Sequence, residues 1–149
     1  MEESMSTSGG PAEQIREAFG LKKQDIRSYS PLTFAYIGDD VYDLIIRTLL
    51  VEQGNRSPEV FHQKASKLVK AGAQAKLIEA LKEDLTGEES DVLRRGMNAK
   101  PKNKAKNATQ EDYQKATACE ALMGWLYLTD QMPRAINLVK TGLEKANLF

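Results

Sequence analysis

Two acids stand out because each interrupts an apolar helical stretch. In Leu32-Thr33-Phe34-Ala35-Tyr36-Ile37-Gly38-Asp39-Asp40-Val41-Tyr42-Asp43-Leu44-Ile45-Ile46, Asp39 directly follows a mid-stretch glycine. Gly and Asp both weaken a helix interior, so this pair gives up helix propensity. Gly38 has no side chain and would let another backbone, or a ligand, come close. Asp43 lies four residues on from Asp39 and shares its face. Glu120 is the sharper case, the one charged residue among the thirteen of 116–128. A carboxylate placed so deep is costly unless it is paired, hydrogen-bonded or bound to a metal. Such acids can sit at the edge of an apolar stripe, reaching water or a basic partner. They can equally be hard oxygen ligands. Because the chain has one histidine, His62, and one cysteine, Cys119, a metal held here would be magnesium or manganese and not zinc. The residues alone leave both readings open.

A second chemical feature is basic. Arg94, Arg95, Lys100, Lys102, Lys104 and Lys106 crowd into 94–106 with no acid among them. Lysines alternating with Asn, Ala and Pro predict a non-helical segment that could follow a phosphate backbone. A solvated loop is the plainer reading of the same composition.

These residues must be positioned by helices, since the chain shows helical periodicity and almost no alternating strand pattern. The punctuation is clear. Pro11 opens a short helix that Gly20 stops. Ser30-Pro31 opens a long one running to about Gln53 and ended by Gly54, and Ser57-Pro58 repeats that start. An amphipathic stretch follows over 73–85, with Leu77, Ile78 and Leu81 on one side. Thr86 caps a short helix that Gly96 closes. After the basic, Pro101-containing break at 97–108, Thr109 restarts a helix with Glu111 and Asp112 in its first turn, where they complement the dipole. That helix reaches about Tyr127, and a last one follows Pro133. The expectation is an all-α bundle of about six to seven helices. Residues 1–10 would be a flexible tail and 11–149 a single domain.

Bulk composition excludes several classes. The 21 basic and 21 acidic residues balance, which argues neither for nor against a nucleic-acid partner, because clustering matters more than the sum. No run approaches the roughly 18 apolar residues of a membrane span. The first ten residues lack the basic and apolar regions of a secretory signal. A lone cysteine cannot close an intrachain disulfide, which suits a cytoplasmic setting.

The carboxylate stretches resemble the ribonuclease III family. Its hallmark helix reads approximately Leu-Glu-Phe-Leu-Gly-Asp-Ala-Val, and the matching residues here are Phe34-Ala35-Tyr36-Ile37-Gly38-Asp39-Asp40-Val41. Its late Asp-x-x-Glu-Ala-Leu-x-Gly pattern is matched by Thr117-Ala118-Cys119-Glu120-Ala121-Leu122-Met123-Gly124. The compact Mini branch of the family is more similar still, through Ser30 to Asp39, then Asn98-Ala99-Lys100, then Glu120 to Gly124. The resemblance covers roughly 29–128. Ala35 and Thr117 stand where the wider family has further acids, so Asp39 and Glu120 are the carboxylates it carries over, with Asp43 as a candidate support.

What the resemblance implies is an endonuclease of double-stranded RNA. Asp39 and Glu120 would hold magnesium, with manganese as a substitute, and a phosphodiester would be hydrolysed to leave a 5′-phosphate. The enzyme would be a homodimer cutting one strand per protomer, with the 23S ribosomal RNA precursor as substrate and a large-subunit ribosomal protein as a candidate helper. The larger members' RNA-binding domain has no counterpart before Phe149, so the basic segment is expected to hold RNA through shape, phosphates and 2′-hydroxyls. Two other classes remain: a noncatalytic RNA-binding or ribosome-assembly protein with the same fold, favoured by Ala35 and Thr117, and a structural helical dimer whose acids form salt bridges.

Overall fold

Most of the helices begin where the sequence supplies a cap. Ser30 Oγ accepts from the Thr33 amide ahead of Pro31, and Ser57 Oγ from the Val60 amide ahead of Pro58. Thr86 and Glu89 form a reciprocal capping box, and Thr109 Oγ1 accepts from Asp112. Each such bond satisfies an amide that a helix start would otherwise leave unpaired. The resulting computed structural model, described for residues 9–99 and 109–149, contains seven α-helices and no strand among those residues. They are α1 (Pro11–Ala18), α2 (Pro31–Val51), α3 (Pro58–Val69), α4 (Ala71–Leu81), α5 (Gly87–Met97), α6 (Gln110–Leu128) and α7 (Met132–Lys145), with 3₁₀ turns at Ile26–Ser28 and Lys82–Asp84. The all-α expectation holds. None of these helices is long and apolar enough to cross a membrane.

Gly20 and Gly54 do end helical runs, with positive φ of 62° and 125° that other residues adopt at a cost. Gly96 does not. It is a buried residue inside α5, and a Cβ there would lie 2.8 Å from Ala118 Cα. The sequence offered a stop; the fold uses the missing side chain to seat α5 on α6. Likewise α4 begins at Ala71 and gives way to a 3₁₀ turn after Leu81, so the expected 73–85 helix is shifted and split.

Helix α6 is the axis of the bundle. Ala116 to Cys119, Ala121 to Gly124 and Leu126 are all buried. Around it gather Tyr42 and Ile46 of α2, Leu68 of α3, Leu77, Ile78 and Leu81 of α4, and Leu138, Val139 and Leu143 of α7. The Tyr42 hydroxyl, fully enclosed, donates to the Leu68 carbonyl at 2.6 Å, so even this polar atom is satisfied. At the far end Arg134 of α7 makes a two-pronged contact with the buried Glu89 carboxylate, both bonds 2.8 Å, and a third with the Asp84 carbonyl. That guanidinium holds the Glu89 carboxyl below its ordinary range and ties α7 to the capping box of α5.

The tightest contact is between α2 and α6. A Cβ at Gly38 would fall 1.6 Å from the Glu120 carbonyl oxygen, and one at Gly124 would fall 1.9 Å from the Phe34 carbonyl oxygen. Backbone meets backbone at both points, so neither obstacle is a side chain that could turn away. Gly38→Ala should therefore cost about 3 kcal/mol or more, the upper range of overpacking. Gly87→Ala, at an open helix start with nothing within 4 Å, should be neutral or stabilise by up to about 1 kcal/mol. Urea unfolding of both variants checks this, and equal midpoints would contradict it.

Candidate active site

The α2–α6 crossing decides where the two singled-out acids go. Gly38 rests on the Glu120 carbonyl, so the next residue of α2, Asp39, emerges beside the Glu120 side chain. The charge of Asp39 acts directly on the Glu120 carboxyl. Asp39 is exposed, while Glu120 is half-buried. Burial first, and the negative charge of Asp39 second, push the Glu120 carboxyl from its ordinary 4.5 up to about 8. Among the described residues neither acid is paired with a Lys or Arg.

One group opposes that rise, the side chain of Gln74 on α4. Its Nε2 donates to Glu120 Oε2 at 3.4 Å and to the Val69 carbonyl at 2.9 Å. Gln74 is only 3 % exposed, and its Oε1 is buried without a hydrogen-bond partner among the described residues. The sequence reading missed this residue, although the signal was present. Gln74 shares the stripe of Leu77, Ile78 and Leu81, at helical spacing, and so had to point into the bundle. An amide on an apolar stripe calls for a partner, as an acid in an apolar helix does.

The other expected residues separate. Asp43 forms a 3.0 Å ion pair with Arg47, one turn along α2, which commits its carboxylate elsewhere. Arg94 and Arg95 are exposed on the last turns of α5, and Arg94 is paired with Asp91. Lys100, Lys102, Lys104 and Lys106 lie outside the described residues. Ala35 and Thr117, where the family has further acids, are both buried, and the Thr117 hydroxyl turns back to the Tyr113 carbonyl at 3.0 Å. The Thr117 hydroxyl hydrogen is therefore committed to its own helix. Cys119 is fully buried, and that burial pushes its thiol up, so it is a core residue and not a nucleophile.

Two carboxylates, mutually repelling and without a protein cation, make an arrangement that a hard divalent cation fits: it would neutralise both and release the proton that burial favours on Glu120. No group of three or more His, Cys, Asp or Glu is gathered for a metal among the described residues, so the protein's own donors would be these two.

Known proteins resemble the chain along most of its length. Residues 32–131 match the Ribonuclease III domain family. The Mini-ribonuclease 3 of Thermoanaerobacter sp. is 40% identical over 124 residues, 83% of this chain and 87% of that protein. That of Enterococcus faecalis is 41% identical over 124 residues, 82% of this chain and 94% of its own. That of Staphylococcus aureus is 43% identical over 111 residues, 73% and 83% of the two chains. A crystal structure of a Fusobacterium nucleatum protein superposes with a TM-score of 0.73 at 26% identity, covering 81% of this chain and 97% of that one. The family at large acts on double-stranded RNA and uses a divalent metal ion. With the profile spanning both α2 and α6 and relatives at these identities along most of its length, the chain belongs to the ribonuclease III family of endoribonucleases, in its Mini-ribonuclease 3 branch.

Proposed function

We propose that this endoribonuclease cuts double-stranded RNA at Asp39 and Glu120, with magnesium as its working metal and the 23S ribosomal RNA precursor as its substrate in the cytoplasm. The observation that carries the proposal is the meeting of these two acids on facing helices, one of them made costly as an anion by its surroundings. Asp39, which is exposed, and Glu120, which is half-buried, would hold the cation. Both oxygens are offered from helices in backbone contact, so little rearrangement is left for the moment of reaction. A bound magnesium ion would supply stabilisation of the charge that builds on the phosphate and would make a water molecule more acidic. Manganese offers the same hard-ligand preference and should substitute.

The rest of the duplex needs its own surface. Arg94 and Arg95 lead from α5 into the basic segment with Lys100, Lys102, Lys104 and Lys106, and phosphates of the RNA are the ligands that such a segment suits. The whole of 11–149 serves as one catalytic domain. A homodimer would let two sites address two antiparallel strands. Supporting it, Tyr36 and Leu44 of α2 are 82% and 61% exposed, large apolar side chains with no partner within the bundle that covers them. A large-subunit ribosomal protein that presents the precursor is a compatible helper.

Three measurements test this. Asp39→Asn and Glu120→Gln should each lower magnesium-dependent cleavage of a long RNA duplex at least about a hundredfold while leaving duplex affinity within a few fold; unimpaired cleavage by either would refute the site. A parent that binds duplex without cutting would favour the noncatalytic RNA-binding reading instead.

In chelator, the direction of the Glu120 shift sets a pH dependence. Folding raises its pKa from 4.5 to about 8, so its contribution to stability is fully present below about 4.5 and is lost as pH rises through about 8. Glu120→Gln, which carries no charge, should melt close to the parent at pH 5 and a few degrees above it at pH 8.5. A pH-independent difference would show that burial of the carboxylate is not the cause.

For the dimer, Tyr36→Lys and Leu44→Lys should each halve the mass seen by light scattering. A monomeric parent would remove homodimerisation from the proposal.

A further inference from the structure

We propose that Gln74 is a positioning residue for cleavage, one that aims the Glu120 carboxylate from a fixed anchor on the Val69 carbonyl. The inference rests on the reading of Asp39 and Glu120 as the metal site and goes beyond it. The amide has only one workable orientation. Of the two groups within reach of Nε2, the Val69 carbonyl at 2.9 Å can only accept, whatever the protonation of the Glu120 carboxyl at 3.4 Å. Turning the amide over would set its oxygen against the Val69 carbonyl oxygen, so Nε2 must face that corner.

The anchor matters as much as the contact. The Val69 carbonyl closes α3 immediately before α4 begins, so Gln74 is held by the corner between two helices and not by a mobile loop. Its 3 % exposure leaves the side chain no freedom to swing out. A donor so fixed orients the carboxylate it touches, as the outer partners of metal ligands do, and loss of such partners commonly lowers metal affinity or activity tenfold to a hundredfold.

Gln74 Oε1 is buried without a hydrogen-bond partner among the described residues, so nothing on that side of the amide competes with the two Nε2 contacts for its orientation.

The test compares the full chain with Gln74→Met, which keeps length and apolar bulk but removes the amide, and with Ile78→Val, a mild core change on the same helix. Titration of magnesium and of manganese into the RNA-free proteins, followed calorimetrically, gives affinity; steady-state cleavage gives kcat and KM separately. Gln74→Met should weaken metal binding and lower kcat, each about tenfold to a hundredfold, with KM for duplex RNA within about twofold. Ile78→Val should lose stability alone. Parent-like metal affinity and kcat in Gln74→Met would overturn the proposal, as would losses no larger than those of Ile78→Val. Inactive Asp39→Asn and Glu120→Gln beside a normal Gln74→Met would remove the role of Gln74 only. Active carboxylate variants would remove the site reading beneath it.

Discussion

The contact on which the molecule depends is the touching of two helix backbones where α2 crosses α6. It is made twice and reciprocally: Gly38 lies on the Glu120 carbonyl, and Gly124 lies on that of Phe34. On each helix the glycine and the touching carbonyl are four residues apart, one turn. Two points of contact fix the crossing angle as well as the position, because rotation about either point would drive the other pair together. Everything packed on α6 inherits that geometry, and so does the spacing of Asp39 from Glu120.

This explains why residues with poor helix propensity sit in mid-helix. Glycine in a helix interior weakens it by up to about 1 kcal/mol, yet any larger residue at these points would part the helices. Helical stability is recovered elsewhere, through capping hydroxyls at Ser30, Ser57, Thr86 and Thr109 and the dense apolar surface of α6. The same surface makes Glu120 expensive as an anion, so the energetics that hold the fold together also favour a cation beside it.

Much of this was legible in the sequence, and for identifiable reasons. Helix starts are local chemistry, so Ser30-Pro31, Ser57-Pro58, Thr86 and Thr109 marked them to within a residue. Asp39 and Glu120 showed because acids contrast with an apolar background. What was not legible depends on pairs distant in the chain. Gly96 looked like a stop because glycine serves both as terminator and as contact, and only Ala118 across the gap distinguishes the two uses. Asp43 shared a face with Asp39, but Arg47 one turn further on claims it. Gln74 is neither charged nor aromatic, and its meaning comes from residue 120, which lies 46 positions away. The basic segment from Lys100 onward lies outside the described residues, so its sequence reading stands on composition alone.

One consequence concerns durability. Many active sites are assembled from loops, and such regions open locally at a fraction of the free energy of global unfolding. Here Asp39, Gln74 and Glu120 all stand on helices, and the Glu120 amide belongs to the most enclosed helix in the bundle. The two helices that carry the acids touch backbone to backbone, and fraying of α1 or of the C-terminal residues after α7 leaves that contact in place. The carboxylate pair can come apart only when α2 leaves α6, which is the unfolding event itself. The working lifetime of the site is therefore the kinetic lifetime of the fold, and selection for a persistent protein and selection for a persistent catalyst act on the same two glycines.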